Sequence, residues 1–318
     1  MNRKIWLPLI LVLGTGGILA SAAQAQLGGL GNAVRALPIK PPNILSGPQP
    51  VSTNIKDAVW GDPSQDGFTP PGGVKAMTGL ARSSTGGFVL ANGFYEMNAQ
   101  SYCLHAGTYG PGGGDGYLYA PVKGSAKDAV ESILRNSANK PEIAQHDIQL
   151  LLWAIVAKAK FENLDNRLKL IATQLLDKKQ LASLNRSALS VLTSSELSSV
   201  TGGLPGPLRT VVEAESKMRS LMALPGSSYA DIERVAVLGG VAPRGEGSVD
   251  TPQSRWSKHP DGYWVRYKPS GYSQTLVQIW VPQGSSAVGR SYEPWRSIAV
   301  PGNTARQRLA QSARSYSR

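Results

Sequence analysis

One cysteine, Cys103, and a glutamine further along the chain, Gln149, are side chains with a specific chemistry open to them as a pair. A thiolate attacks acyl carbon, and a side-chain carboxamide is such a group once it is held against the sulfur and kept from water. Loss of ammonia then leaves an internal thioester. An incoming amine opens that bond and becomes a stable amide on the protein. The design asks for one cysteine, one glutamine and packing that excludes hydrolytic water. A single cysteine also excludes an intramolecular disulfide framework and any CxxC-type zinc or redox site.

Two elements must position the pair. Ser101-Tyr102-Cys103-Leu104 reads as a short strand-like run, as do Phe88-Val89-Leu90 and Phe94-Tyr95 before it. Gln149 falls near the start of a helix predicted from about Gln145 to Lys158, with Ile148, Leu151, Leu152 and Ile155 as its apolar stripe. Trp153, four residues after Gln149, shares an adjoining face and can shield the pair. The N–H groups of the first helical turn are expected to stabilise a developing oxyanion. His105, two residues beyond Cys103, and His146, three before Gln149, are candidate proton carriers. A cysteine hydrolase is a poor fit, because catalytic cysteines of that kind sit at helix N-termini and Cys103 reads as strand. No spacing joins Cys103 to the three histidines as a metal site, so no metal and no cofactor are expected.

These residues resemble the bacterial surface thioester domains, which carry an aromatic-Cys motif followed by a helical glutamine motif with a tryptophan. Tyr102-Cys103-Leu104 is similar to the first and Ile148-Gln149-Leu150-Leu151-Leu152-Trp153-Ala154-Ile155 to the second. Val130 to Asn136 is similar to the helix that often precedes the glutamine motif. The resemblance spans about residues 94 to 160. It implies a Cys103–Gln149 thioester supported by Tyr102 and Trp153, in a protein that adheres covalently to amines on a target surface. Ile148 and Leu150 stand where many members have threonine and alanine, and Leu204-Pro205-Gly206 and Leu224-Pro225-Gly226 are only partial, internal look-alikes of the wall-sorting signal that typical members carry.

The rest of the chain gives the setting. Arg3-Lys4, an apolar run to Ala20 and Ala23-Gln24-Ala25 read as a signal peptide over 1–25, so the protein is expected in the periplasm or outside the cell, without a membrane anchor after cleavage. Residues 26–84 are rich in proline and glycine and read as a leader or linker. An α+β fold is expected: a thioester-like α+β domain over 85–240, then an antiparallel β-rich part over 241–300 that is a separate module or a closing sheet. Residues 301–318 read as a basic tail.

Net charge is +12, and no acidic residue follows Glu293, while Arg296, Arg306, Arg308, Arg314 and Arg318 do. For an exported chain this excludes nucleic acid and points to anionic cell-envelope polymers or glycans as additional partners. A different reading of function comes from Trp264 and Trp280 on the C-terminal strands. Exposed aromatics on a sheet face stack on sugar rings, which suits a non-covalent glycan-binding module with Cys103 a buried free thiol.

Overall fold

The computed structural model describes residues 48–51, 54–112 and 114–316, so the signal peptide and the leader as far as residue 47 lie outside the described residues. The chain begins with strands β1 (Val74–Ala76), β2 (Phe88–Val89), β3 (Gly93–Cys103), β4 (Thr108–Tyr109) and β5 (Tyr117–Pro121). Helices α1 (Lys127–Ser137), α2 (Gln145–Val156), α3 (Asn166–Leu175), α4 (Lys178–Ser187), α5 (Ser194–Thr201), α6 (Gly206–Ala223) and α7 (Tyr229–Ala236) follow. Strands β6 (Val237–Leu238), β7 (Ser257–Lys258), β8 (Trp264–Pro269), β9 (Gln274–Val281), β10 (Ser291–Tyr292), β11 (Ser297–Pro301) and β12 (Leu309–Ser315) complete the fold. The fold is α+β, as the sequence predicts.

Strand β3 explains the architecture. Tyr95, Met97, Ala99, Ser101 and Cys103 are buried, and the alternating Glu96, Asn98 and Gln100 are not, the period of a strand with one face in a core. It pairs antiparallel with β9 on one edge and β12 on the other. The path β3–β12–β11–β5–β8–β9 returns to β3 and closes a six-stranded antiparallel barrel, which removes the open edges of its strands. Registers Met97 to Val277, Val277 to Tyr267 and Cys103 to Leu309 place these residues on the inner face. Strands β1 and β7 attach at β3 and β8. Helix α2 packs against β3, α1, α6 and α7, and α1 packs against β12.

Two expectations change in this frame, and one left open takes one of its two forms. The short runs at Phe94-Tyr95 and Ser101–Cys103 belong to one continuous eleven-residue strand, because the polar residues between them face outward, and Leu104 lies just past its end. The C-terminal part is the closing sheet: β8, β9, β11 and β12 complete the barrel begun by β3 and β5. Residues 301–316 are not a solvated tail. Within them, β12 is a barrel strand buried from Leu309 to Ala313.

The arginines of this region are structural cations. Arg296 pairs with Glu293 and Arg306 with Asp115. Arg308 is buried and donates to Thr304 O and Arg306 O, and Arg314 donates to Ile143 O and Pro141 O. Arg318 lies outside the described residues. The described part of the leader also packs on the barrel: Met77 is fully buried, Val59 bridges to Tyr119, and Asp66 pairs with Arg255.

Candidate functional site

The C-terminal end of β3 outruns one of its partners. Pairing with β9 stops at Gln100 opposite Gln274, three residues before β3 ends. Leu104 gives its N–H to Arg308 on the β12 side, so Ser101 and Cys103 turn their backbone groups to the other edge, where Ser101 N–H still reaches Ser273 O at 2.9 Å but Ser101 O and both Cys103 groups have no strand partner. Buried backbone groups left unpaired there would each cost about 1–3 kcal/mol. Helix α2 meets the need with two glutamines one turn apart. Gln145 Nε2 donates to Ser101 O at 3.1 Å and to Ser273 O at 2.7 Å. Gln149 Oε1 accepts from Cys103 N–H at 2.8 Å, and Gln149 Nε2 donates to Cys103 O at 3.0 Å. The Gln149 carboxamide thus takes the place of a peptide unit of the missing strand.

This pairing brings an acyl group to the backbone of the residue that carries the thiol. The donor at Oε1 is Cys103's own N–H, not the first-turn amides of the helix as expected, because the carboxamide leaves the helix to reach the strand edge. A donor on that oxygen withdraws charge from Cδ and is placed to hold a developing oxyanion. Cys103 is fully buried and Gln149 is 2% exposed, so both lie out of bulk water. Burial, and after it the charge of Glu233, pushes the thiol well above its ordinary range. The sulfur therefore rests as S–H and needs a proton acceptor before it can attack.

A stack of three rings lies along the turns of α2 that flank Gln149. Trp153 is fully buried, Tyr229 lies over it at 5.5 Å, and the exposed His146 lies over Tyr229 at 4.2 Å. Tyr229 and Glu233, one turn apart, belong to α7. The Tyr229 hydroxyl meets that of Tyr272 at 3.0 Å, and Tyr272 in turn donates to Glu233. Gly107 N–H and Gln307 Nε2 both donate to Ala236 O and tie the end of α7 to the mouth of the barrel.

The other expected site residues are placed as follows. Tyr102 is buried beside Cys103, but strand alternation turns its ring to the outer face, where its hydroxyl donates to Gln100; its side chain does not join the thiol. His105 donates from Nδ1 to Ala106 O, and burial together with the charge of Arg308 pulls it down to about 3. It is neutral at physiological pH and a weak base. Trp264 and Trp280 lie far from this chemistry on the outer wall, paired across β8 and β9. Their rings stack at 6.2 Å, and Phe68 covers Trp280 at 4.6 Å.

Gln145, Tyr229, Tyr272 and Glu233 are additions that sequence reasoning missed. Gln145 was visible as the residue one helical turn before Gln149. The others come from chain segments whose meeting at the barrel mouth leaves no local signal. Among the described residues no group of three or more His, Cys, Asp or Glu could hold a metal ion, and no helix is long and apolar enough to cross a membrane. No protein-family model, no characterised protein and no solved structure matches this chain.

Proposed function

We propose that the protein forms an internal thioester between Cys103 and Gln149 and uses it once, to attach covalently to an amine on a target surface. The observation that carries this reading is the two-point hydrogen bonding of the Gln149 carboxamide to the Cys103 backbone inside a dry site. In the forming step sulfur bonds to Cδ, the Cδ–Nε2 bond breaks, and the thiol proton leaves with nitrogen as ammonia. In the opening step a primary amine takes the acyl group and the thiol is restored. Each molecule reacts once, so the protein is a reagent and not a turnover enzyme. The reading places the protein outside the cytoplasm, in keeping with its expected signal peptide, and its amine donor on a protein or another amine-bearing surface.

Geometry favours this over glycan binding by Trp264 and Trp280, because Phe68 already covers Trp280. Intact mass of the purified mature chain is the test. The expected mass is one ammonia below that calculated, restored by ammonia, shifted by methylamine, and absent in Cys103→Ala. A full calculated mass with a thiol that titrates at once on denaturation overturns the reading.

A further inference from the structure

Thioester formation needs a group that takes the proton from sulfur and gives one to the departing nitrogen. The histidines near the pair are unsuited to it. His105 is too weak a base, and the ring of the exposed His146 stacks on the far side of Tyr229 from Trp153. Helix α7 brings a different candidate. Tyr229 and Glu233, one turn apart, share a face of α7, and Tyr229 rests on Trp153, itself one turn beyond Gln149 on α2. Tyr272, next to the Ser273 whose carbonyl accepts from Gln145, reaches across to bond both the Tyr229 hydroxyl and the Glu233 carboxylate. The Tyr272 bond thereby fixes the carboxylate on the face of α7 that carries Tyr229 against Trp153, and its charge adds to burial in raising the Cys103 thiol.

We propose that Glu233 carries the proton between the Cys103 thiol and the Gln149 nitrogen, with Tyr272 as the residue that positions its carboxylate. The proposal rests on the thioester reading above. As sulfur attacks Cδ, Glu233 accepts the thiol proton and Cys103 N–H holds the oxyanion. As the Cδ–Nε2 bond breaks, the Glu233 acid delivers that proton to Nε2, ammonia leaves, and the carboxylate is regenerated. Opening by an amine runs the same path backwards: Glu233 takes a proton from the attacking nitrogen and returns it to sulfur. No electron is gained or lost.

A group that only moves protons changes both rates by one factor and leaves their ratio alone. A group that holds one of the two resting states in shape changes the ratio. The experiment therefore follows intact mass of the full mature chain in both directions: bond formation after ammonia-opened protein is freed of ammonia, and opening when ammonia is added back. For Glu233→Gln both rates should fall by about 100-fold or more, with the plateau fraction at a fixed ammonia concentration and the melting temperature unchanged. Tyr272→Phe should slow both rates by a smaller common factor. Should Glu233→Gln not fold, Glu233→Asp carries the same test, with a smaller common loss expected from the shorter carboxylate.

Wild-type rates in these Glu233 variants, or a changed plateau with an unchanged opening rate, overturn the proposal and leave the thioester standing. A wild-type chain that never becomes lighter by one ammonia takes down both.

Discussion

At the mouth of the barrel, Cys103 and Gln149 are withdrawn from water, and the backbone groups and carboxamide between them are paired. On the outer wall, Trp264 and Trp280 remain half-buried, stacked on one another, with the Lys258 ammonium 5.8 Å above the Trp264 ring. Both regions are conspicuous in the sequence, and their surroundings separate them. At the mouth a polar side chain enters an apolar space to complete a strand edge, and the pairing that satisfies it brings a carboxamide to the backbone of the residue that carries the thiol. On the wall the aromatics hold other parts of the same chain. Phe68 packs on Trp280, the Trp256 indole donates to Phe68 O, and Asp66 pairs with Arg255, so the wall fixes the proline-rich segment to the barrel. Here the aromatic density coincides with packing of the chain on itself.

The comparison predicts opposite outcomes for mutation in the two places. Gln149→Ala should have the largest effect. It removes the acyl donor, so the ammonia deficit disappears, and it unpairs two buried backbone groups at a cost on the order of 3 kcal/mol. Urea unfolding together with intact mass reads both effects. Trp280→Ala should cost about 2 kcal/mol through lost stacking and burial while the ammonia deficit persists. A deficit that survives Gln149→Ala, or vanishes in Trp280→Ala, would erase the distinction between mouth and wall.

Tyr229→Ala tests whether dryness of the mouth matters in its own right. The ring lies between Trp153 and His146 and makes neither hydrogen bond to the Cys103 backbone. Removing it should leave the bond able to form but admit water. Spontaneous hydrolysis to the acid should then speed by roughly tenfold, equivalent to about 1.4 kcal/mol of lost protection. The measurement is the decay of the methylamine-reactive fraction with time. A decay no faster than wild type would show that Tyr229 does not limit access.

What the sequence made legible follows from the range of each interaction. The helix carrying Gln149 and Trp153 was readable from its apolar spacing, and the structure places it over Gln145–Val156. The strand read at Tyr263 to Tyr267 is present as β8, with Tyr263, Val265 and Tyr267 in the core, but Arg266 is buried among them and only Trp264 stays half-buried. Barrel closure was not readable, because β12 consists of small and polar residues, Leu-Ala-Gln-Ser-Ala-Arg-Ser, whose burial depends on neighbours on both edges. The same holds for the arginines. Arg306 and Arg314 look like a free cationic tail until Asp115 and the carbonyls of Pro141 and Ile143 are brought to them. Cys103 and Gln149 were paired through motif resemblance and chemistry. The reason they meet, an edge of β3 left open by a short β9, belongs to the assembled sheet.

The last prediction concerns acid. His105, next to the mouth, has its pKa pulled from 6.5 to about 3 by burial and by Arg308, whereas His259, beside the wall at the end of β7, is lowered by burial but partly restored by Asp261. An unfolded chain takes a proton on each histidine near pH 6.5, and the folded chain refuses the one on His105 until about pH 3. The unfolded state therefore binds more protons across that window, and stability falls as pH drops from about 6.5 towards 3, by at most about 1.4 kcal/mol per pH unit for this site. His105→Gln removes the term. Its unfolding free energy, measured in urea between about pH 6 and pH 4, should fall less steeply than that of wild type. His259→Gln should flatten the same slope by less, because Asp261 favours the charged ring in the folded state. If His259→Gln gave the larger relief, acid sensitivity would reside in the wall, and the mouth would not be the drier of the two regions in the sense that proton binding measures.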